Sequence, residues 1–178
     1  MIDALTALDA AIEGTRELLE LLEIINQESE KEQRTMTEQI AVAAKWWADQ
    51  LRCETKQDNG DALCSAVSFL VSKLSELPDP QLVDNFEKVL RERLEVLILK
   101  SGWDKNNPKW GSYYRTIGCD YGPDHFLHGI AVECGIKASC PPFPMKTIMW
   151  IDSDSVRVAH GYGAEPRKIW EESEKEND

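Results

Sequence analysis

Along residues 2–30, apolar positions recur at spacings of three and four. Leu5, Leu8, Ile12, Thr15, Leu19, Leu22 and Asn26 follow this rhythm, which predicts one helix with a heptad seam of about three repeats. Gly14 and Thr15 weaken its middle. Such a seam must be covered, either by the body of its own chain or by a second copy. Residues 5–26 are therefore a candidate homodimer face, with Asn26 able to set register. The stretch 27–34 is wholly polar and predicts a break. Thr35 and Glu38 match a capping box, and the next helix, 36–53, places Ile40, Ala44, Trp47 and Leu51 on one face. Trp46 lies about 100° away and is expected to be partly exposed.

The same period returns twice. Asp61 caps an expected helix over 62–77 with Leu63, Val67, Leu70, Leu74 and Leu77 inward. Pro78-Asp79-Pro80 stops it and opens a helix over 80–100, with Val83, Phe86, Leu90, Leu94 and Leu97 on its stripe and Gly102 as terminator. After Gly102 the pattern changes. A loop with Trp103 and Trp110 leads to strand-like 113–117. Tyr121-Gly122-Pro123-Asp124 is a turn that starts a short helix, 124–134, with Leu127, Ile130, Ala131 and Cys134 inward. Residues 145–151 and 156–160 alternate as two strands around Asp152-Ser153-Asp154-Ser155, which predicts a hairpin. The expected fold class is α+β: an N-terminal amphipathic helix, a three-helix segment, then a small antiparallel sheet with one packed helix. The expected domains are a helical extension over 1–35, an α+β body over 36–170 and an acidic tail over 171–178.

Composition limits the options. The chain has 178 residues and 42% hydrophobic content, enough for a buried core. No apolar run reaches the ~18–20 residues of a membrane span, and the start Met1-Ile2-Asp3 lacks the basic region of a secretory signal. Five cysteines at irregular spacing point to a reducing, cytoplasmic setting rather than a disulfide framework. The net charge of −12 is uneven: residues 1–35 carry nine acids and three bases (−6), residues 165–178 six and three (−3), and the remainder supplies −3. Direct nucleic-acid binding is not expected, because phosphate backbones attract clustered Lys and Arg. Basic protein surfaces would attract such ends.

Four constellations could carry chemistry. His125 and His128, three apart on a helix, could share a metal with Cys119, but no CxxC or HExxH accompanies them; a surface histidine pair and small buried cysteines are the commoner arrangement. Cys119 with a histidine base could be a nucleophile, although Asp120 beside it would raise its pKa. Gly161-Tyr162-Gly163 lacks the further glycines, lysine and helix of a phosphate loop and reads as a turn. The aromatic residues Trp103, Trp110, Tyr113, Tyr114, Tyr121 and Tyr162 of the C-terminal half suit a protein interface. Trp103, Trp110, Tyr121, Asp124, Tyr162 and Glu165 are the expected contacts. No complete catalytic motif is present, so no enzyme activity and no cofactor are expected.

The segments Ala44-Lys45-Trp46-Trp47-Ala48-Asp49-Gln50-Leu51, Asp120-Tyr121-Gly122-Pro123-Asp124, Phe143-Pro144-Met145-Lys146-Thr147-Ile148-Met149-Trp150 and Gly161-Tyr162-Gly163-Ala164 form an ordered set. It resembles small phage and prophage proteins of Firmicutes, including anti-CRISPR proteins directed at Cas9. The resemblance implies an inhibitor of a bacterial defence protein, such as Cas9 with its guide RNA, acting by binding in the host cytoplasm. One alternative is a binder of nucleotide second messengers, if Arg115, Arg157, Arg167 and Lys168 converge on a pocket. The other is a metal-dependent enzyme.

Overall fold

The computed structural model describes residues 4–52, 78–122, 124–137 and 143–171, with side chains from residue 12 onward. The expected helix over 62–77, Cys53, Cys64 and Cys140, and residues 172–178 lie outside the described residues.

Helix α1 runs without interruption over Ala4–Arg52. The expected break at 27–34 does not occur. That stretch contains no Gly or Pro, and its Gln, Glu, Lys and Arg residues are strong helix formers. Thr35 and Thr37 do not act as a helix start. Their hydroxyls donate back one turn, to the carbonyls of Lys31 (2.9 Å) and Gln33 (2.8 Å), as mid-helix threonines do.

The chain divides into two units, Met1–Thr37 and Glu38–Asp178. In the first, the described apolar side chains of 12–25 face solvent. In the second, the α1 face of Ile40, Ala43, Ala44, Trp47, Ala48 and Leu51 is buried. Trp47 meets the edge of Phe143 at 5.9 Å between ring centroids, and Phe86 reaches Phe143 at 5.7 Å. This aromatic group joins α1 to helix α2 (Pro80–Ser101). The Asp79 carboxylate caps α2 by accepting from the Gln81 N–H (2.8 Å), and Pro80 occupies the first turn. Val83, Phe86, Leu90, Leu94 and Ile98 form its buried face. Ile98 takes the place expected of Leu97, which is half-buried. At its solvent edge Arg52 bridges the two helices, reaching Asp84 at 2.7 Å and Glu87 at 2.9 Å.

The sheet is antiparallel in the order β1 (Thr116–Cys119), β2 (Thr147–Ile151), β3 (Ser155–His160) and β4 (Arg167–Glu171). The expected hairpin is β2–β3. A 3-10 turn, Ser112–Arg115, occupies the start of what the sequence suggests as a first strand. Strand β4 went unrecognised in the sequence and pairs with β3 past an irregularity at Val156/Arg157. Alternate residues Ile117, Cys119, Thr147, Met149, Ile151, Val156 and Val158 are buried, while Thr116, Gly118, Ile148, Trp150 and Arg157 are half-buried. The sheet therefore has one dry and one wet face. Helix α3 (His125–Glu133) is capped by Asp124, whose carboxylate accepts from the Phe126 N–H at 2.7 Å. Leu127, Ile130, Ala131 and Cys134 are buried as expected. With three described helices and a four-stranded antiparallel sheet, the fold is α+β.

Candidate partner-binding surface

At the end of the sheet where Thr116 pairs with Trp150, the chain is locked by one buried cation. The Arg115 side chain is fully buried. Its guanidinium donates to three carbonyls, those of Ile151 (2.8 Å), Gly102 (2.7 Å) and Pro108 (2.9 Å). It also stands 5.7 Å above the Trp103 ring. Burial pulls its pKa down, and the buried Asp152 carboxylate at 3.6 Å pushes it back up. That carboxylate takes a direct bond from Arg157 at 2.5 Å, and Arg157 in turn lies 5.7 Å over Trp150 on the wet face.

Two glycines make the close packing possible. Gly102 has φ +85°, and a Cβ there would sit 2.7 Å from the Trp110 ring; Gly111 has φ +72° and would meet the Ser101 carbonyl at 2.7 Å. The loop is thus fixed on its inside and presents Trp110, Tyr113 and Tyr114 on its outside. Tyr113 is 85% exposed and meets Tyr114 edge to face at 5.6 Å. Neither hydroxyl has a hydrogen-bond partner among the described residues.

The opposite end of the sheet is built differently. Lys146 adopts a left-handed backbone (φ +54°) just before β2. Its N–H donates to the Asp120 carbonyl (3.0 Å), and its carbonyl accepts from Gly161 (2.7 Å). Three strand ends are tied in this way. The Lys146 ammonium lies 5.6 Å from the Tyr121 ring and 5.1 Å from the Tyr162 ring. The Tyr162 hydroxyl donates to the Asp120 carboxylate, a bond that holds the phenol above its usual pKa. Tyr121 and Tyr162 therefore do come together, but around a cation of their own chain.

The remaining expected site residues disperse. Trp103 is half-buried beneath Arg115, Asp124 is occupied as a helix cap, and Glu165 is exposed between β3 and β4. Cys119 is buried, and burial pushes its thiol pKa up, the wrong direction for a nucleophile. His125 is exposed and His128 half-buried, and no group of three metal-type ligands forms among the described residues. His160 holds Thr147 at 2.9 Å and packs on Trp46 at 5.7 Å; burial, then Arg167, depress its pKa. The expected basic pocket does not assemble either, since Arg115 is buried, Arg157 serves Asp152, and Lys168 pairs with Glu171. Gly161-Tyr162-Gly163 is a turn, with φ of +89° and +73° at its glycines. Sequence reasoning missed the Arg115–Asp152–Arg157 network. Its signal was there: Arg115 stands in step with buried Ile117 and Cys119.

The chain matches the model of the BTG family over residues 61–170. Among solved structures it is similar to the C. elegans FOG-3 BTG/Tob domain, at 23% identity and a TM-score of 0.47, over 60% of this chain and 77% of that one. The comparison with curated proteins finds no match. The family is one of eukaryotic regulatory proteins that bind partner proteins. That overturns the expected kinship with phage proteins and anti-CRISPR inhibitors, along with Cas9 and its guide RNA as partners. The second-messenger and metalloenzyme alternatives find no support beside it. The segments that carried the phage resemblance are structural in kind: Trp47 and Phe143 are core, Asp124 is a cap, and Gly161 to Gly163 is a turn. With its match extending from residue 61 through α2, the aromatic loop and all of the sheet but its last residue, this chain belongs to the BTG family.

Proposed function

We propose that this chain is a non-catalytic regulator that binds a partner protein through Trp110, Tyr113 and Tyr114. The observation that carries the reading is the family match over 61–170, which includes all three residues. The geometry adds support. Exposed aromatic side chains on a rigid base lose little freedom on docking and make good anchors. Tyr113 and Tyr114 have open rings and free hydroxyls, whereas Tyr121 and Tyr162 already enclose Lys146. A hollow on α2 is lined by the charged residues Asp84, Glu87, Lys88 and Arg91, which suits a small-molecule site poorly. The free, buried thiols of Cys119 and Cys134 favour a reducing compartment, and we place the protein inside the cell.

BTG/Tob proteins bind partners such as deadenylase complexes, so the test uses a purified deadenylase complex and the full chain. Binding is measured by biolayer interferometry. Changing both Tyr113 and Tyr114 to Ala lowers affinity about 30-fold or more, the size of an interface hot spot. Changing Tyr121 and Tyr162 to Ala leaves it within about threefold. Absence of binding by the unaltered chain overturns the partner class. Equal losses from the two pairs overturn the assignment of the surface.

A further inference from the structure

Among the described residues, the first unit presents an apolar face that its own side chains do not cover. Ile12, Leu18, Leu19, Leu21, Leu22 and Ile25 are each 56–62% exposed. At 3.6 residues per turn these six fall within an arc of about 180°, and Ile24, also exposed, lies outside it on the acidic side. That is wider than the seam of a two-stranded coiled coil, which buries only its a and d positions. A pairing along Ile12, Leu19 and Leu22 would leave Leu18, Leu21 and Ile25 in water.

Charge narrows the occupant further. Residues 12–30 hold six acids (Glu13, Glu17, Glu20, Glu23, Glu28, Glu30) and one base, Arg16. Arg16 is already paired with Glu20 at 3.4 Å. On the same wheel Glu23 borders one edge of the apolar arc and Glu28 the other. A second copy would set these acids against their own kind. A phospholipid surface carries the same sign as the polar face, and so does a nucleic-acid backbone. What complements all three features is a broad groove, lined by apolar side chains and rimmed on both sides by Lys or Arg.

We propose that α1, over residues 12–28, is a docking helix for a partner protein with an apolar groove flanked by basic residues. The helix lays in its apolar arc, as amphipathic helices do in grooves, and Glu23 and Glu28 meet the basic rims. The segment lies outside 61–170, so the proposal does not rest on the reading of Tyr113 and Tyr114.

The test pairs the full chain with two designed miniproteins that share one leucine-lined groove. One carries lysines along both rims, and its twin carries glutamates there. The lysine-rimmed form should bind at least tenfold more tightly, with the preference shrinking as salt rises. Leu18→Gln with Leu22→Gln should remove binding while circular dichroism stays unchanged. Glu23→Lys with Glu28→Lys should transfer the preference to the glutamate-rimmed twin. Equal binding of the two, or no transfer on charge reversal, overturns the proposal. So does a chain mass that sedimentation finds doubled in the unaltered protein and single in the Leu18/Leu22 variant, which assigns the face to a second copy. Binding to phosphatidylserine vesicles overturns it as well.

Discussion

Helix α1 holds two stretches that look alike in sequence and fare differently in the fold. Residues 12–25 include seven large apolar side chains, each more than half exposed. Residues 38–52 include Ile40, Trp47 and Leu51, each 4% exposed or less. Both carry apolar residues three and four apart. What separates them is the company. The second stretch interleaves the buried Ala43, Ala44 and Ala48 with Trp47, which packs on Phe143, whereas the large apolar side chains of the first meet no described partner. A helical period reports that a face can be buried; whether it is buried depends on what the rest of the chain brings to it.

That contrast can be broken by substitution. The largest effect belongs to Trp47→Ala, which removes a fully buried ring from between Trp46 and Phe143. A loss of about 3–5 kcal/mol is expected, read as a lower urea midpoint. Gln39→Ala comes next. Its amide donates to the Ser153 carbonyl at 3.2 Å from a buried position, so the loss should be about 1–2 kcal/mol in the same assay.

The third expectation is a pH dependence through His160, which packs on Trp46. Its folded pKa lies below the ordinary 6.5, so the fold prefers the neutral ring. Above that value the folded and unfolded states are both neutral and stability does not respond. As pH falls through 6.5 the unfolded state takes the proton first, and stability declines until the folded ring also titrates. A His160→Gln variant should show a shallower decline between pH 7 and 5 in thermal melts.

The smallest effect is expected from Leu22→Ala, within about 0.5 kcal/mol, because its side chain is already in water. A loss there comparable with Trp47→Ala would erase the distinction between the two stretches.

Much of the architecture was legible because it rests on period alone. The stripes of α2 and α3, the helix starts at Pro80 and Asp124 and the β2–β3 hairpin all announce themselves locally. What stayed hidden depends on distant partners or on the absence of a breaker. The polar 27–34 stretch looked like a linker only because it lacks apolar residues, and nothing in it stops a helix. Arg115 was a candidate for a basic pocket, and its burial is made tolerable by three carbonyls from segments 7 to 36 residues away. For the candidate surface, the aromatic set that includes Trp110, Tyr113 and Tyr114 was legible, but which of its members stand open was not, since exposure is set by how the loop is pinned.

Strand β4 was missed because its residues look like a charged tail. At the sheet's border that composition has a use. Arg167, Lys168 and Glu171 are exposed on a strand with only one neighbour. A free strand edge invites pairing with any extended segment that meets it, and charges along it discourage that pairing. The feature that disguised β4 as a tail also helps to end the sheet, which has four strands among the described residues.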